Sequence, residues 1–86
     1  MHFKKILVLG CNSFSGSNFV EYCLNKNKQV LGVSRSNTDK KYMLRYSLNK
    51  NKFSNFQFQI ADINKDLNKI TSLIKHFKPE VIVNFI

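Results

Sequence analysis

Two glycines mark the point where an apolar segment gives way to a helical pattern, in the stretch LGCNSFSGS. Gly10 and Gly16 flank a short loop with Ser13 near its middle. A helix that begins at such a bend presents unpaired backbone N–H groups and a partial positive charge, which together can bind phosphates. The spacing does not match G-x-G-x-x-G, so the glycines alone fit an ordinary turn as well as a phosphate site.

Strands and a helix are predicted around this bend. Residues 3–9 are continuously apolar, as is typical of a strand that is covered on both faces. An amphipathic helix follows and ends near Asn27, and residues 29–34 form a second apolar strand. The apolar side of this helix carries Phe19, Val20, Cys23 and Leu24.

The second half of the chain repeats the alternation. Residues 55–62 alternate apolar and polar side chains, which predicts a third strand with one more polar face. A second helix is predicted before Pro79, because the residue preceding a proline avoids the helical region. A fourth strand is predicted over residues 80–86, while residues 42–48 give a mixed signal. The apolar side of the second helix carries Leu67, Ile70, Leu73, Ile74 and Phe77.

Strands that alternate with helices favour a parallel sheet, because parallel neighbours need a crossover connection that is usually helical. We therefore predict an α/β fold, a partial Rossmann fold whose parallel sheet has about four strands joined by crossover helices.

The stretch ILVLGCNSFSGSNFVEYCL resembles the opening of extended short-chain dehydrogenase/reductases, the NAD-dependent epimerase and dehydratase family that acts on nucleotide sugars. That family has G-x-x-G-x-x-G, closing as Gly-Phe-Ile-Gly-Ser, where this chain has SFSGS. The resemblance implies that residues 1–86 form the amino-terminal part of a dinucleotide-binding domain. It implies a loop that contacts the cofactor through Gly10, Asn12, Ser13, Phe14, Ser15 and Gly16.

Ser13 is the departure from the family pattern, because it stands where the middle glycine would be. A serine there keeps room for the diphosphate and adds a hydroxyl that can donate to it. The same side chain is also a favoured helix N-cap, and the two roles are compatible.

The resemblance also bears on cofactor choice at the end of the second strand, in VSRSN. Family members that use NAD place an acid there, whereas basic residues favour the extra phosphate of NADP. Ser34 takes the place of the acid, followed by Arg35 and Ser36, so NADP is slightly favoured over NAD. Arg35 could equally be an ordinary solvent-facing arginine.

Further cofactor contacts are implied after the third and fourth strands. The resemblance places Asp62 and Ile63 against the adenine, although Asp62 could instead cap the following helix. It places Phe85 and Ile86 along the cofactor after the fourth strand.

The family's catalytic Tyr-x-x-x-Lys pair lies on a helix beyond the fourth strand, so no catalytic residue is assigned here. Tyr46 and Lys50 have that spacing but fall between the second and third strands. We therefore expect the NAD(P)-binding portion of a longer nucleotide-sugar 4,6-dehydratase or epimerase, inactive alone and homo-oligomeric when complete. The alternative is a noncatalytic dinucleotide-binding or interaction module on the same half-fold.

Composition and charge bear on nucleic-acid binding, on location and on the state of the cysteines. The net charge is +9, but no short window holds five basic residues, so we expect no specific nucleic-acid binding. No apolar run is long enough for a bilayer and no leader pattern is present, so the cytoplasm is the expected location. Cys11 and Cys23 lack metal-ligand spacing and are expected to be reduced, structural thiols.

Overall fold

The computed structural model describes residues 3–35 and 55–86, which form a parallel four-stranded sheet with one helix on each face. The strand order is β3-β2-β1-β4, so β1 and β2 are the inner strands. This confirms the predicted α/β architecture with crossover helices. In chain order the elements are β1 (Lys5–Leu9), α1 (Phe14–Asn25), β2 (Gln29–Ser34), β3 (Phe56–Ile60), α2 (Leu67–Phe77) and β4 (Val81–Asn84).

The central strand β1 separates two apolar layers. Ile6 and Val8 point to the α1 side, Leu7 and Leu9 to the α2 side, and all four are buried. A strand buried on both faces needs apolar residues at every position rather than at alternate ones, which is the pattern the sequence has. The α1 layer adds Cys11, Val20, Cys23, Leu24 and Val30, and the α2 layer adds Leu31, Val33, Ala61 and Ile70.

The first strand starts later than the sequence pattern indicates. Phe3 and Lys4 lie outside it, and Phe3 is exposed. The Glu80 side chain explains this boundary, since its Oε1 accepts the backbone N–H groups of Lys4 and Lys5 at 2.8 and 3.1 Å. A carboxylate from just before β4 thus bonds these two amides at the edge of the sheet.

This contact predicts an acid-sensitive stability. The two backbone N–H donors of Lys4 and Lys5 lower the pKa of Glu80, so the contact is at full strength above the ordinary glutamate pKa of about 4.3 and weakens as pH falls through the lower folded value. We expect Glu80→Gln to be less sensitive to acid over that range than the unaltered chain. Urea unfolding at several pH values measures this, and equal acid sensitivity of both proteins would contradict it.

A left-handed residue follows each helix. The first helix ends at Asn25, two residues before the predicted Asn27, and Asn27 has φ 60°. The second ends at Phe77, as predicted, because Lys78 before Pro79 has left the right-handed helical region at φ 55°. Its apolar side is less covered than the pattern predicts: Ile70 is buried, whereas Leu67 is 62% exposed.

Some predictions fall outside the described residues, namely those for residues 42–48, for Ser36 and for Tyr46 with Lys50. Within the described ranges, neither helix has the length and apolar character that a bilayer crossing requires.

Neither Cys11 nor Cys23 forms a disulfide, and both are buried. Burial raises the pKa of the Cys23 thiol to about 11, against a smaller opposing effect of Lys28. Because the thiolate is the reactive form, we expect Cys23 to react very slowly with Ellman's reagent at pH 8 in the folded chain and rapidly in urea. Equal rates in the two conditions would contradict the burial.

Candidate functional site

A cleft of about 430 Å³ opens at the carboxyl ends of the strands. Parallel topology brings these ends to one edge, where ligands of open α/β sheets usually bind. Backbone hydrogen bonds hold the edge together: the Gly10 N–H donates to the Val33 carbonyl at 2.8 Å, and the Phe85 N–H donates to the Leu9 carbonyl at 2.8 Å. The lining residues are Gly10, Asn12, Ser13, Ser34, Arg35, Ala61, Asp62, Ile63, Asn64, Phe85 and Ile86.

The loop after β1 turns at Gly10, whose φ of +80° is one that glycine adopts readily. A side chain there would also crowd the chain after β4, since a Cβ would lie 3.1 Å from the Phe85 carbonyl carbon and 3.2 Å from the Ile86 nitrogen. Gly10 therefore joins the loop closely to the end of β4.

Ser13 is the N-cap of α1, which is the capping role that the sequence left open. Its Oγ accepts the Gly16 N–H at 2.9 Å and donates to the Gly10 carbonyl at 2.9 Å. A hydroxyl has a single proton, and here that proton is directed to the loop itself. The first helical amides, those of Phe14 and Ser15, have no acceptor within the helix and are the donors best placed for an anion.

Gly16 packs α1 against the end of β1. A Cβ at this position would collide with the Gly10 carbonyl oxygen and lie 2.9 Å from the Ser13 Oγ. Phe14 and Ser15 are exposed and do not line the cleft. The cofactor contact predicted for them is therefore left to their backbone amides and not to their side chains.

The loop after β1 forms the first wall of the cleft, and the end of β2 forms the second. Ser34 accepts the Ala61 N–H through its carbonyl at 2.9 Å, which aligns the ends of β2 and β3. The exposed Arg35 follows and lines the cleft. A guanidinium at this wall is suited to a phosphate, because its fork of donors matches phosphate oxygens.

The third wall is a turn after β3. The Asp62 Oδ1 accepts the Asn64 N–H at 2.9 Å, and the Asp62 N–H donates to the Asp66 Oδ2 at 2.8 Å. Asp66, not Asp62, is the N-cap residue of α2, so the alternative that Asp62 caps this helix is wrong. The turn separates Asp62 from the helix and leaves it, with Ile63, on the cleft.

The chain after β4 closes the cleft from the other side. The Phe85 ring lies 5.6 Å from the Phe19 ring, centroid to centroid, which anchors it to α1. The Asn84 Oδ1 accepts the Ile86 N–H at 2.8 Å and shapes the turn that follows the strand. Both Phe85 and Ile86 line the cleft, whereas Ser36 lies outside the described residues.

Sequence reasoning missed three contributors to this edge. Ala61 and Asn64 line the cleft, and their position beside the Asp-Ile pair was the signal that could have found them. Gly32 lies beneath the loop, where a Cβ would be 2.8 Å from the Cys11 Sγ and 2.9 Å from the Phe56 Cε1. A glycine inside an apolar strand indicates such close approach.

The sequence profile of the family "GDP-mannose 4,6 dehydratase" matches residues 7–86. A search of curated protein sequences gives no match. Among solved structures, the chain is similar to dTDP-glucose 4,6-dehydratase from Bacillus anthracis in complex with NAD, at 27% identity and a TM-score of 0.76, covering 95% of this chain and 26% of that one.

Two enzymes of Bordetella bronchiseptica share the fold. WbmH in complex with NAD+ has 22% identity and a TM-score of 0.75 over 99% of this chain and 26% of that one. WbmG in complex with NAD and UDP has 19% identity and a TM-score of 0.74 over 100% of this chain and 25% of that one. The chain thus spans about a quarter of the length of these proteins. Because the profile covers nearly the whole sequence, the chain belongs to the GDP-mannose 4,6-dehydratase family.

Proposed function

We propose that this chain forms the dinucleotide-binding portion of an NAD(P)-dependent nucleotide-sugar dehydratase or epimerase. The observation that carries the proposal is the cleft, which joins the loop before α1, the end of β2 and the Asp62 turn in one surface. The solved relatives described with NAD support it, as does the family profile.

The donor set fits such a ligand from one end to the other. The Phe14 and Ser15 amides at the start of α1 suit a diphosphate. Ser34 and Arg35 suit the adenosine ribose and any phosphate on it, and the Asp62 carboxylate suits the exocyclic amine of adenine. When bound, the nicotinamide would accept a hydride from a sugar carbon and later return it. The residues described here would bind and orient the cofactor for that exchange.

Chemical-shift mapping on the isotope-labelled chain tests the proposal. Titration with NADP and with NAD should shift the amides of residues 10–16, 34–35 and 61–64, with little change at the opposite edge of the sheet. Unshifted amides at millimolar cofactor, or shifts confined to residues away from the cleft, would overturn it.

We further propose that NADP is preferred to NAD, on the basis of Arg35 and the absence of an acid at Ser34. Replacing Arg35 by alanine should weaken NADPH binding about tenfold or more, because a charge-assisted contact to phosphate is lost. NADH binding should stay within about twofold, and it serves as the matched control. Fluorescence titration of each reduced cofactor measures both, and equal weakening of the two would argue against a phosphate contact.

Ser13 provides a test of the loop. Ser13→Leu should abolish dinucleotide binding, because the bulky side chain fills the approach to the first amides of α1 and the N-cap is lost. Ser13→Gly restores the family's glycine, and glycine is a tolerable N-cap, so binding should be retained. Calorimetric titration with NADPH compares the two variants. Unchanged binding in the leucine variant would remove Ser13 from the site.

A further inference from the structure

The fold gathers lysines that are dispersed in the sequence. Because α1 and α2 run back across the sheet, their last turns lie at its amino edge, where the strands begin. Backbone bonds connect this edge: Gln29 N–H donates to the Lys4 carbonyl, and Glu80 N–H donates to the Lys5 carbonyl, each at 2.8 Å. The lysines of this amino edge are Lys4, Lys5, Lys26, Lys28, Lys75 and Lys78.

The positive charge of the amino edge is weakly opposed. Among the described residues, two acids lie there against six lysines: Glu21, next to Tyr22 on α1, and Glu80, which is held by the backbone N–H groups of Lys4 and Lys5 and interacts electrostatically with Lys4 and Lys28. The carboxyl edge is different, since Asp62 and Asp66 there offset much of its basic charge. Favourable contact with the negative end of a helix dipole accounts for Lys75 and Lys78, and the Lys5 Nζ lies 4.8 Å from the Phe77 ring centroid. Neither contact neutralises the positive charge.

Aromatic rings accompany these cations. Tyr22 is 48% exposed in the last turns of α1, with the Lys26 Nζ 5.7 Å from its ring centroid. Phe3 is 44% exposed just before β1. Exposed rings interleaved with cations suit a single-stranded nucleic acid, whose bases stack while its phosphates are neutralised. Aromatic rings beside cations also occur at lipid interfaces, so vesicles are included as a comparison below.

We infer that the amino edge is a sequence-independent binding surface for single-stranded nucleic acid, separate from the cleft at the carboxyl edge. Fluorescence anisotropy with a labelled oligouridylate, titrated into the chain at increasing KCl, tests this. Binding should weaken with salt, and an excess of NADPH should not displace the oligonucleotide. Displacement by NADPH would place the oligonucleotide in the cleft and overturn the inference.

Matched charge removal locates the surface. Lys26→Gln with Lys78→Gln should weaken binding about tenfold at low salt and reduce the salt slope by about 1.4, at about 0.7 for each phosphate contact. Lys65→Gln with Lys69→Gln removes the same charge near the carboxyl edge and should change affinity less than about twofold. Equal weakening by both pairs, or no binding at low salt, would overturn the inference.

Two further measurements separate nucleic acid from other polyanions. Tyr22→Leu should weaken oligouridylate binding several-fold while leaving inorganic polyphosphate binding unchanged, because only the bases stack. Unchanged oligonucleotide affinity in this variant would overturn the inference. Phosphatidylserine vesicles provide the other comparison, and vesicle binding in the absence of oligonucleotide binding would replace the inference with a lipid surface.

Discussion

Gly16→Ala is expected to destabilise the chain by about 3 kcal/mol and to abolish dinucleotide binding. The added methyl group would collide with the Gly10 carbonyl oxygen, and a backbone atom fixed by the β1 turn cannot move aside as a flexible side chain can. The start of α1 would have to lift from the sheet, which displaces Ser13 and the loop that lines the cleft. A chain of this length has a total stability of about 4–13 kcal/mol, so the loss is large.

Urea unfolding and NADPH titration of the same sample measure the two effects. Asn18→Ala is the matched control, because it places alanine on the same helix while removing atoms rather than adding them. The control should change stability by less than about 1 kcal/mol. A Gly16→Ala chain with unchanged stability would mean that α1 does not pack on the loop as described.

Gly32→Val is expected to destabilise the chain by about 2 kcal/mol and to weaken dinucleotide binding through the loop above it. Its Cβ would lie 2.8 Å from the Cys11 Sγ and 2.9 Å from the Phe56 ring, within a buried layer that has little room. Pushing Cys11 outwards also disturbs its backbone N–H, which bonds to the Val33 carbonyl at 3.2 Å.

A double variant tests this mechanism. Cys11→Ala removes the sulfur nearest to the new side chain, so adding it to Gly32→Val should recover part of the lost stability. Recovery would be incomplete, since the Cys11 Cβ itself would lie 3.0 Å from the added carbon. Strictly additive losses, measured as a double-mutant cycle in urea, would show that the two residues do not compete for space.

Much of the fold could be predicted, because several residue patterns in the sequence are compatible with only one kind of element. The buried strand at β1 requires apolar residues on both faces, and the limits of β2 and the end of α2 are those predicted. The start of β1 was missed because it depends on a distant partner. β1 loses its first predicted residues because Glu80, far along the chain, takes the amides of Lys4 and Lys5. Local patterns carry no information about such a contact.

In the cleft, too, local features could be predicted, whereas contacts between distant segments could not. Gly10, Asp62 and Arg35 could be predicted because a strand end followed by a turn has a local signature, and the family resemblance assigns them roles. The proton of Ser13 could not be placed, because its acceptor depends on the curvature of the loop. Gly32 was missed because the need for a glycine there comes from the Cys11 side chain, which packs against β2. Sequence patterns are interpreted one segment at a time and do not show such a contact.

The central position of β1 has a consequence for how the chain assembles. One neighbour of β1 is β2, which follows it closely in the sequence. The other neighbour, β4, follows much later, as the 75-residue separation of Lys5 and Glu80 shows. Closing so long a stretch of chain delays the final pairing and raises the contact order. During synthesis, one edge of β1 therefore stays unpaired and can bind other chains until β4 emerges from the ribosome.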